Sequence, residues 1–522
     1  MITSIPFRDI PRFQNNKVFL DFIEGKESVS RFFQYSPLDF PAALAARKNV
    51  PVNRNQAADA LSELNRTLGA HQEGLANIEA LRDPAAFCVI TGQQVGFFGG
   101  PVFTAYKILT TIRLARELTD TLGVRCVPVF WGASEDHDFF EINHVNVMKQ
   151  DGEVGKVSFS WSHKGNSIYD IPLDDHVRRK VKGYIRQLKH DLPHCGDVAD
   201  IFRPRRESSF TQWTYTLLSR LFSHHGLVIA DPRIFRPHMG GLFREMLDKR
   251  EDIKLAIQEA GEKMRAAGYS PALDPRRAGR LYTYDKGGKR IRFEESTEKD
   301  QSVSRHPERF SPDVALRPLF ADAALPVIVS VLGPGEIAYT AQLQGLYDVL
   351  NLPQPLIFPR KSFTLMSDRE ADRLALYGTD ISHILTNRGS TGDIFQDHFD
   401  EEGRSLFQEA GKGLHSSFLP LKEYLAVIDP NLEKTWHRAL DHSNFQLNKL
   451  QERAIKARLS RSGLSGKELQ FLRNTILPRG QLQERILPLP HFIGAFGADF
   501  LDTGLTDVSV TDFSHHAVTI SQ

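Results

Sequence analysis

The sequence predicts an α/β protein with a parallel β-sheet at its core, and three observations carry that prediction. The apolar run Phe87-Cys-Val-Ile90 leads into a glycine-rich stretch, Thr91-Gly-Gln-Gln-Val-Gly-Phe-Phe-Gly-Gly-Pro101, and then into a helical pattern over 102–118. A second apolar run over 124–131 follows that helix, giving the strand–helix–strand order of a parallel pair with a crossover. A third run, 326–332, opens into Gly333-Pro-Gly-Glu-Ile-Ala-Tyr and another helix. In such sheets polar ligands collect at the carboxyl ends of the strands, where loops present backbone N–H groups.

The bulk numbers agree with a large folded protein. At 522 residues, 41% apolar and 25% charged, the chain can bury a sizeable core spread over several domains. Lys plus Arg number 65 and Asp plus Glu 64, so no charge imbalance points to nucleic acid or to a membrane surface. The three cysteines, Cys88, Cys126 and Cys195, are too few and too scattered for a disulfide framework or a zinc site. Cys88 and Cys126 sit in apolar runs and are expected to be buried; Cys195 lies in a polar stretch. No basic start precedes an apolar segment, and no run reaches the ~20 apolar residues that span a bilayer. A cytoplasmic protein with neither nucleic-acid nor membrane partner is expected.

In chain order, 56–81 reads as one or two helices, with Leu61, Leu64 and Leu68 at helical spacing. Short strand-like pieces over 145–148, 155–159 and 167–171 form a β excursion. Helices follow over 175–188 and 210–225. Residues 227–230 give another core strand, and 239–267 one long amphipathic helix. Residues 280–295 alternate around Asp285-Lys-Gly-Gly, a hairpin turn. Residues 356–364 read as the last core strand. Beyond 375 the chain is helical, and 432–460 carries Leu432, Trp436, Leu440, Leu447 and Leu450 on one stripe. A turn over 463–466 leads into a further helix over 467–476, and these two late helices pair within the chain or between subunits. The resulting division is a core over 1–375 with insertions near 142–200 and 270–310, a helical arm over 376–480, and a tail over 481–522 that packs back on the core.

The chemistry-bearing residues gather at strand ends. In the first loop Gly92, Gly96, Gly99 and Gly100 permit close backbone approach, while Gln93 and Gln94 offer amide donors and acceptors. The loop is not Gly-x-Gly-x-x-Gly, and no Lys-Ser/Thr closes it as in a phosphate loop. Lys107 meets an anion only if its helix faces the cleft. The structural alternative is a turn packed under the sheet. After the second strand comes Gly132-Ala-Ser-Glu-Asp-His-Asp, where His137 suits a general base, with Glu135 or Asp136 orienting it or holding an ammonium. His137 and His144 do not match His-Glu-x-x-His spacing, and no metal site is expected. In the third loop Gly333 and Gly335 shape the backbone, Glu336 suits a substrate hydroxyl or amine, and Tyr339 lies one turn later. Asn387, Arg388 and Arg360-Lys-Ser-Phe-Thr364 are further polar candidates. There is no Gly-x-Ser-x-Gly elbow for a serine hydrolase.

Taken together, Thr91-Gly-Gln-Gln-Val-Gly-Phe-Phe-Gly-Gly-Pro-Val-Phe-Thr-Ala-Tyr-Lys107, Trp131-Gly-Ala-Ser-Glu-Asp-His-Asp-Phe-Phe-Glu141 and Gly333-Pro-Gly-Glu-Ile-Ala-Tyr339 resemble the cysteine-adding enzyme family of bacillithiol biosynthesis. The resemblance covers essentially the full chain, Val314-Ala-Leu-Arg-Pro318 and the helical arm included. It implies attachment of L-cysteine to glucosaminyl malate, a Rossmann-like nucleotidyl-transferase core related to class I aminoacyl-tRNA synthetases, and a coiled-coil arm that makes a homodimer. The stretch 91–101 then stands where those synthetases carry His-Ile-Gly-His, whose histidines this chain lacks; Arg360-Lys-Ser is a faint echo of Lys-Met-Ser-Lys-Ser. Amide formation from a free carboxylate needs activation, so ATP with Mg2+ as counter-ion is expected. Gln93 and Gln94 would stabilise oxygen charge, His137 would take the ammonium proton, and Glu336 would orient the sugar. Thr91, Gly92, Gly99, Gly100, Lys107, Glu135, Asp136, Gly333, Gly335, Tyr339, Asn387 and Arg388 would bind substrate or nucleotide. A binding or regulatory protein on a degenerate synthetase fold, or an amino-acid ligase with another acceptor, are the alternatives.

Overall fold

The computed structural model describes residues 1–149, 152–162, 165–188, 192–296, 300–387, 401–429, 432–461, 464–503 and 508–521. At its centre lie five parallel strands: β1 (Phe87–Gln93), β2 (Cys126–Gly132), β3 (Val228–Ala230), β4 (Val327–Leu332) and β5 (Leu356–Pro359). Their order is β5-β4-β1-β2-β3, and every neighbouring pair is parallel. Helix α1 (Phe103–Leu122) is the crossover from β1 to β2 and packs on both.

Both faces of this sheet are covered, which is why its strands read as continuous apolar runs. Side chains alternate along β1. Phe87 and Val89 pack among Leu114, Ala115 and Leu118 of α1. Cys88 and Ile90 face the other way, toward Ala57, Leu61 and Leu319. Burial pushes the thiols of Cys88 and Cys126 up to about 12, so both behave as small apolar groups; Cys195 is half-buried. Gly132 closes β2 because a Cβ there would lie 2.1 Å from the Tyr215 hydroxyl.

The strand order reverses between β1 and β4. Their following chains turn to opposite sides and leave a crevice beyond their carboxyl ends. Helix α2 (Pro334–Thr340) follows β4 at that crevice. Smaller sheets flank the core. His144–Met148 pairs antiparallel with Val154–Ser158, and Leu281–Tyr284 pairs with Arg290–Arg292 and Ser311–Pro312. A third sheet joins the ends of the chain: Ile2–Ile5 runs antiparallel to β7 (His515–Ile520), which runs parallel to β6 (Ser362–Ser367). The tail also returns through Leu489–Phe496, which packs on Cys195–Phe202.

Helices α3 (Glu401–Ile428) and α4 (Glu433–Arg461) lie against each other within the chain, whereas Gly466–Ile476, the helix expected to pair with α4, packs on Ile381–Thr386 and on β6. The Trp436 indole N–H donates to the Phe418 carbonyl at 2.7 Å, and Lys422 pairs with Glu433 at 2.8 Å. Leu406, Tyr424, Val427, Phe445 and Leu450 remain exposed on this arm.

Several local expectations are corrected. Residues 356–364 divide at Arg360-Lys361, so β5 joins the central sheet and β6 joins the sheet of the chain ends. Residues 239–267 break at Lys249, whose backbone leaves helical geometry at φ −94°, ψ 16°, into Gly240–Asp248 and Arg250–Ala266. Residues 167–171 form a 3-10 turn (Ile168–Asp170) instead of a strand, because the N–H groups of Ile168 and Tyr169 bond to the carbonyls of Asp136 and Ser134.

Two buried histidines make the fold acid-sensitive. His515 lies between the hydroxyls of Ser362 (2.8 Å) and Thr364 (2.9 Å). Burial lowers the imidazoles of His515 and His491 from 6.5 to about 4. Between those values the unfolded chain binds more protons than the folded one, so stability falls as pH drops from 6.5 toward 4. At pH 5 each histidine is expected to have withdrawn roughly 2 kcal/mol. Urea unfolding should show a lower midpoint at pH 5 than at pH 7, with a shallower pH slope in His515→Asn.

Candidate active site

The crevice between β1 and β4 holds a cavity of about 450 Å3. β1 contributes Thr91, Gly92 and Gln93, and Gln94 follows. α1 contributes Phe103 and Lys107, and α2 with its preceding turn contributes Gly333, Gly335, Glu336 and Tyr339. Asp136 enters from the loop after β2, and Arg317 from the first turn of the helix Arg317–Ala324. Arg360 and Arg485 arrive from the sequence after β5 and from the tail.

Lys107 sits at the centre of the wiring. Its side chain is 2% exposed. The ammonium donates to the Gly92 carbonyl at 2.8 Å and to Gln93 Oε1 at 3.0 Å, and pairs with Glu336 Oε2 at 2.5 Å. Burial lowers its pKa, and Glu336 opposes that shift. The same Glu336 oxygen accepts the Gly333 N–H at 2.7 Å, so it also caps α2. The Thr91 hydroxyl donates to the Val331 carbonyl at 2.8 Å, a second tie between β1 and β4.

Asp136 organises the opposite wall. It accepts from Gln94 Nε2 at 3.0 Å and from Arg317 Nη2 at 3.4 Å, with Arg290 Nη1 3.9 Å away. Burial alone would raise its carboxyl, but Arg317 and Arg290 hold it well below the usual range. Arg317 keeps one buried nitrogen, Nε, without a partner among the described residues. Arg360 is bound on two sides by the buried Glu484, at 2.6 and 3.0 Å, and Glu484 also accepts from Ser362 Oγ. Tyr339 is pushed up by burial and by Glu336, and stays a neutral phenol.

The cavity therefore brings together Thr91, Gly92, Gln93, Gln94, Lys107, Asp136, Gly333, Gly335, Glu336 and Tyr339. Other candidates fall elsewhere. His137 does not line it; Nδ1 lies 3.3 Å from Arg290 Nη1, and burial followed by that cation lowers its pKa. The turn sends Glu135 beneath the cleft, fully buried, with Arg236 Nε at 3.7 Å as its ion-pair partner. Neither Glu135 oxygen is hydrogen-bonded among the described residues, and burial raises its carboxyl. The second half of the glycine loop turns into the core: Phe97 and Phe98 pack against Trp213, and Gly99 lines neither this cavity nor its neighbour. Gly100 lines a smaller adjoining cavity. Asn387 closes the helix Ile381–Thr386 away from the cleft, and Arg388 lies outside the described residues.

Arg317, Phe103, Trp131 and Arg485 also line the cleft and were not singled out from their chemistry. Arg317 had one signal, an arginine followed by proline at the start of an apolar helical run. Arg485 and Glu484 had none, since only the return of the tail brings them here.

A Rossmann-like sheet with a polar cleft at its reversal point, followed by a paired-helix arm, defines a small-molecule-binding α/β protein with a helical appendage. The chain belongs to the bacillithiol biosynthesis BshC family. Residues 5–361 match the family's N-terminal Rossmann-like domain and 363–520 its C-terminal coiled-coil domain. Among its relatives is a protein of Geobacillus kaustophilus, 30% identical over 95% of this chain and 96% of its own length. Another, from Koribacter versatilis, is 30% identical over 99% of each chain, and one from Salinibacter ruber is 30% identical over 96% and 95%. All three bear the name "Putative cysteine ligase BshC".

The buried Arg360–Glu484 pair makes this wall testable. Glu484→Gln leaves a buried guanidinium without its counter-charge and should cost about 3–5 kcal/mol. Equilibrium denaturation at pH 7 measures it.

Proposed function

We propose that this chain is a ligase that joins L-cysteine to glucosaminyl malate through an amide bond, forming bacillithiol. Its main support is the end-to-end family match combined with a polar cleft at the sheet's reversal point. A carboxylate and an amine do not condense unaided in water, so the cysteine carboxyl requires activation. ATP, with Mg2+ as counter-ion, would supply that activation, ending as AMP and pyrophosphate or as ADP and phosphate. The residues fit an anionic co-substrate: Arg317 Nε is buried without a partner among the described residues, and Gly335 has open space where a Cβ would stand.

The remaining work falls to the chain's own groups. Arg317, braced by Asp136, holds an anion. The amides of Gln93 and Gln94, fixed by Lys107 and Asp136, face the oxygen on which charge develops. Glu336 commits Oε2 to Lys107 and Gly333, while Oε1 has no hydrogen-bond partner among the described residues. That oxygen orients the sugar and takes the proton of the attacking ammonium, the task the sequence reading gave to His137. We also propose kinship of the core with class I aminoacyl-tRNA synthetases, a cytoplasmic location, and a homodimer formed through the exposed apolar residues of α3 and α4. Among the described residues no helix is long and apolar enough to cross a membrane.

A second reading, ligand binding without turnover, is favoured by the commitment of Lys107 and Arg360 to internal carboxylates. Mass spectrometry of purified protein with cysteine, glucosaminyl malate, ATP and magnesium decides between them. The ligase reading expects bacillithiol together with AMP or ADP; absence of the thiol product and of nucleotide turnover would overturn it. Gln94→Ala should lower kcat by roughly 100-fold, the scale of losing one oxyanion donor. Arg317→Ala should chiefly raise the KM for the anion it holds.

A further inference from the structure

Behind Gln93 and Gln94 lies a second cavity of about 90 Å3. It shares Gln93, Gln94, Glu141 and Arg485 with the main cleft, so the two glutamines form a partition between unequal chambers. That partition is fixed on one side by Lys107 and on the other by Asp136. Two residues that line the small chamber, Thr104 and Asn146, each carry a buried side-chain oxygen, Oγ1 and Oδ1, with no hydrogen-bond partner among the described residues. Thr104 is 2% exposed and Asn146 9%. Buried polar atoms left unmet are costly, and a pair of them in one cavity calls for a donor that the fold does not supply. Much of the remaining wall is apolar, including Phe97, Ile142 and Val145.

We propose that this small chamber is the amino-acid subsite of the ligase, an inference that rests on the ligase reading above. It receives the ammonium and short side chain of a small α-amino acid, cysteine in that reading. The carboxylate lies at the glutamine partition, facing the larger cleft where acceptor and nucleotide meet. The ammonium donates to Asn146 Oδ1 and Thr104 Oγ1, and Glu141 at the rim supplies opposite charge. His144, in the same chamber, has its imidazole lowered first by burial and then by Lys156, so it adds no cation against the ammonium. The thiol, a small soft apolar group, suits Phe97, Ile142 and Val145. At about 90 Å3 the chamber is a fifth the size of the main cleft's 450 Å3. That suits a short side chain better than a sugar acid.

The test uses the full-length protein with isosteric Thr104→Val and conservative Thr104→Ser. Thr104→Val should raise the KM for cysteine about 5–10-fold, the effect of one lost hydrogen bond. The KM for glucosaminyl malate should stay within about twofold, and Thr104→Ser should restore the cysteine KM. Equilibrium dialysis of labelled cysteine against wild type, without acceptor, gives a readout independent of turnover and of any variant's folding. Serine and alanine should displace the label, and phenylalanine should not. If wild type makes bacillithiol but Thr104→Val raises only the acceptor KM, or phenylalanine competes as well as serine, the subsite assignment falls while the ligase stands. If wild type neither binds cysteine nor forms product, the ligase reading falls, and the subsite with it.

Discussion

Lys107 lies in the crevice where the sheet reverses, nearly sealed from water, and an ammonium there is stable only if protein atoms replace its hydration. Its three partners come from the two sides of the crevice: Gly92 and Gln93 at the end of β1, and Glu336 at the start of α2. One buried charge therefore sets the separation of β1 and β4 at their carboxyl ends. It also sets the side-chain direction of Gln93 and the cap of α2. The cleft's width, its amide wall and the half-engaged carboxylate of Glu336 all depend on this pair.

The second wall follows the same logic with the signs exchanged. Asp136 is an anion kept ionised by Arg317 and Arg290, and it in turn fixes Gln94. The two glutamines are thus held by opposite charges from opposite sides. Such bracing gives preorganisation, since dipoles already aimed need not reorganise when charge develops beside them. Arg360 and Glu484 extend the scheme to the tail, so the last part of the chain belongs to the cleft as much as the first strand does.

Much of this was legible beforehand because it is local. The runs ending at Ile90, Trp131 and Leu332 are strands buried on both faces, and the glycine turns after two of them had to lie at one edge of a parallel sheet. Thr91 to Gln94 and Gly333 to Tyr339 consequently met in one cavity. The direction of each side chain was not legible. Adjacent residues Glu135, Asp136 and His137 take three different environments: buried beside Arg236, turned into the cleft, and set against Arg290. A backbone turn decides among them, and its hydrogen bonds run to Ile168 and Tyr169, about thirty residues on. The loop half holding Phe97 to Gly99 likewise looked like ligand contact and became core, because two large aromatic rings outweigh the freedom of neighbouring glycines.

By itself, then, the sequence determined the fold class, the position of the cleft along the strands, the helical character of the arm and the family. These depend on periodicity and on contiguous motifs, which are properties of short stretches of chain. Only the tertiary structure decided which polar groups face the cleft, which are consumed in holding it open, and that Arg317, Glu484 and Arg485 take part. The reason is that a buried charge is defined by its partners. Those of Lys107, Asp136 and Arg360 lie as far as 229, 181 and 124 positions away in sequence.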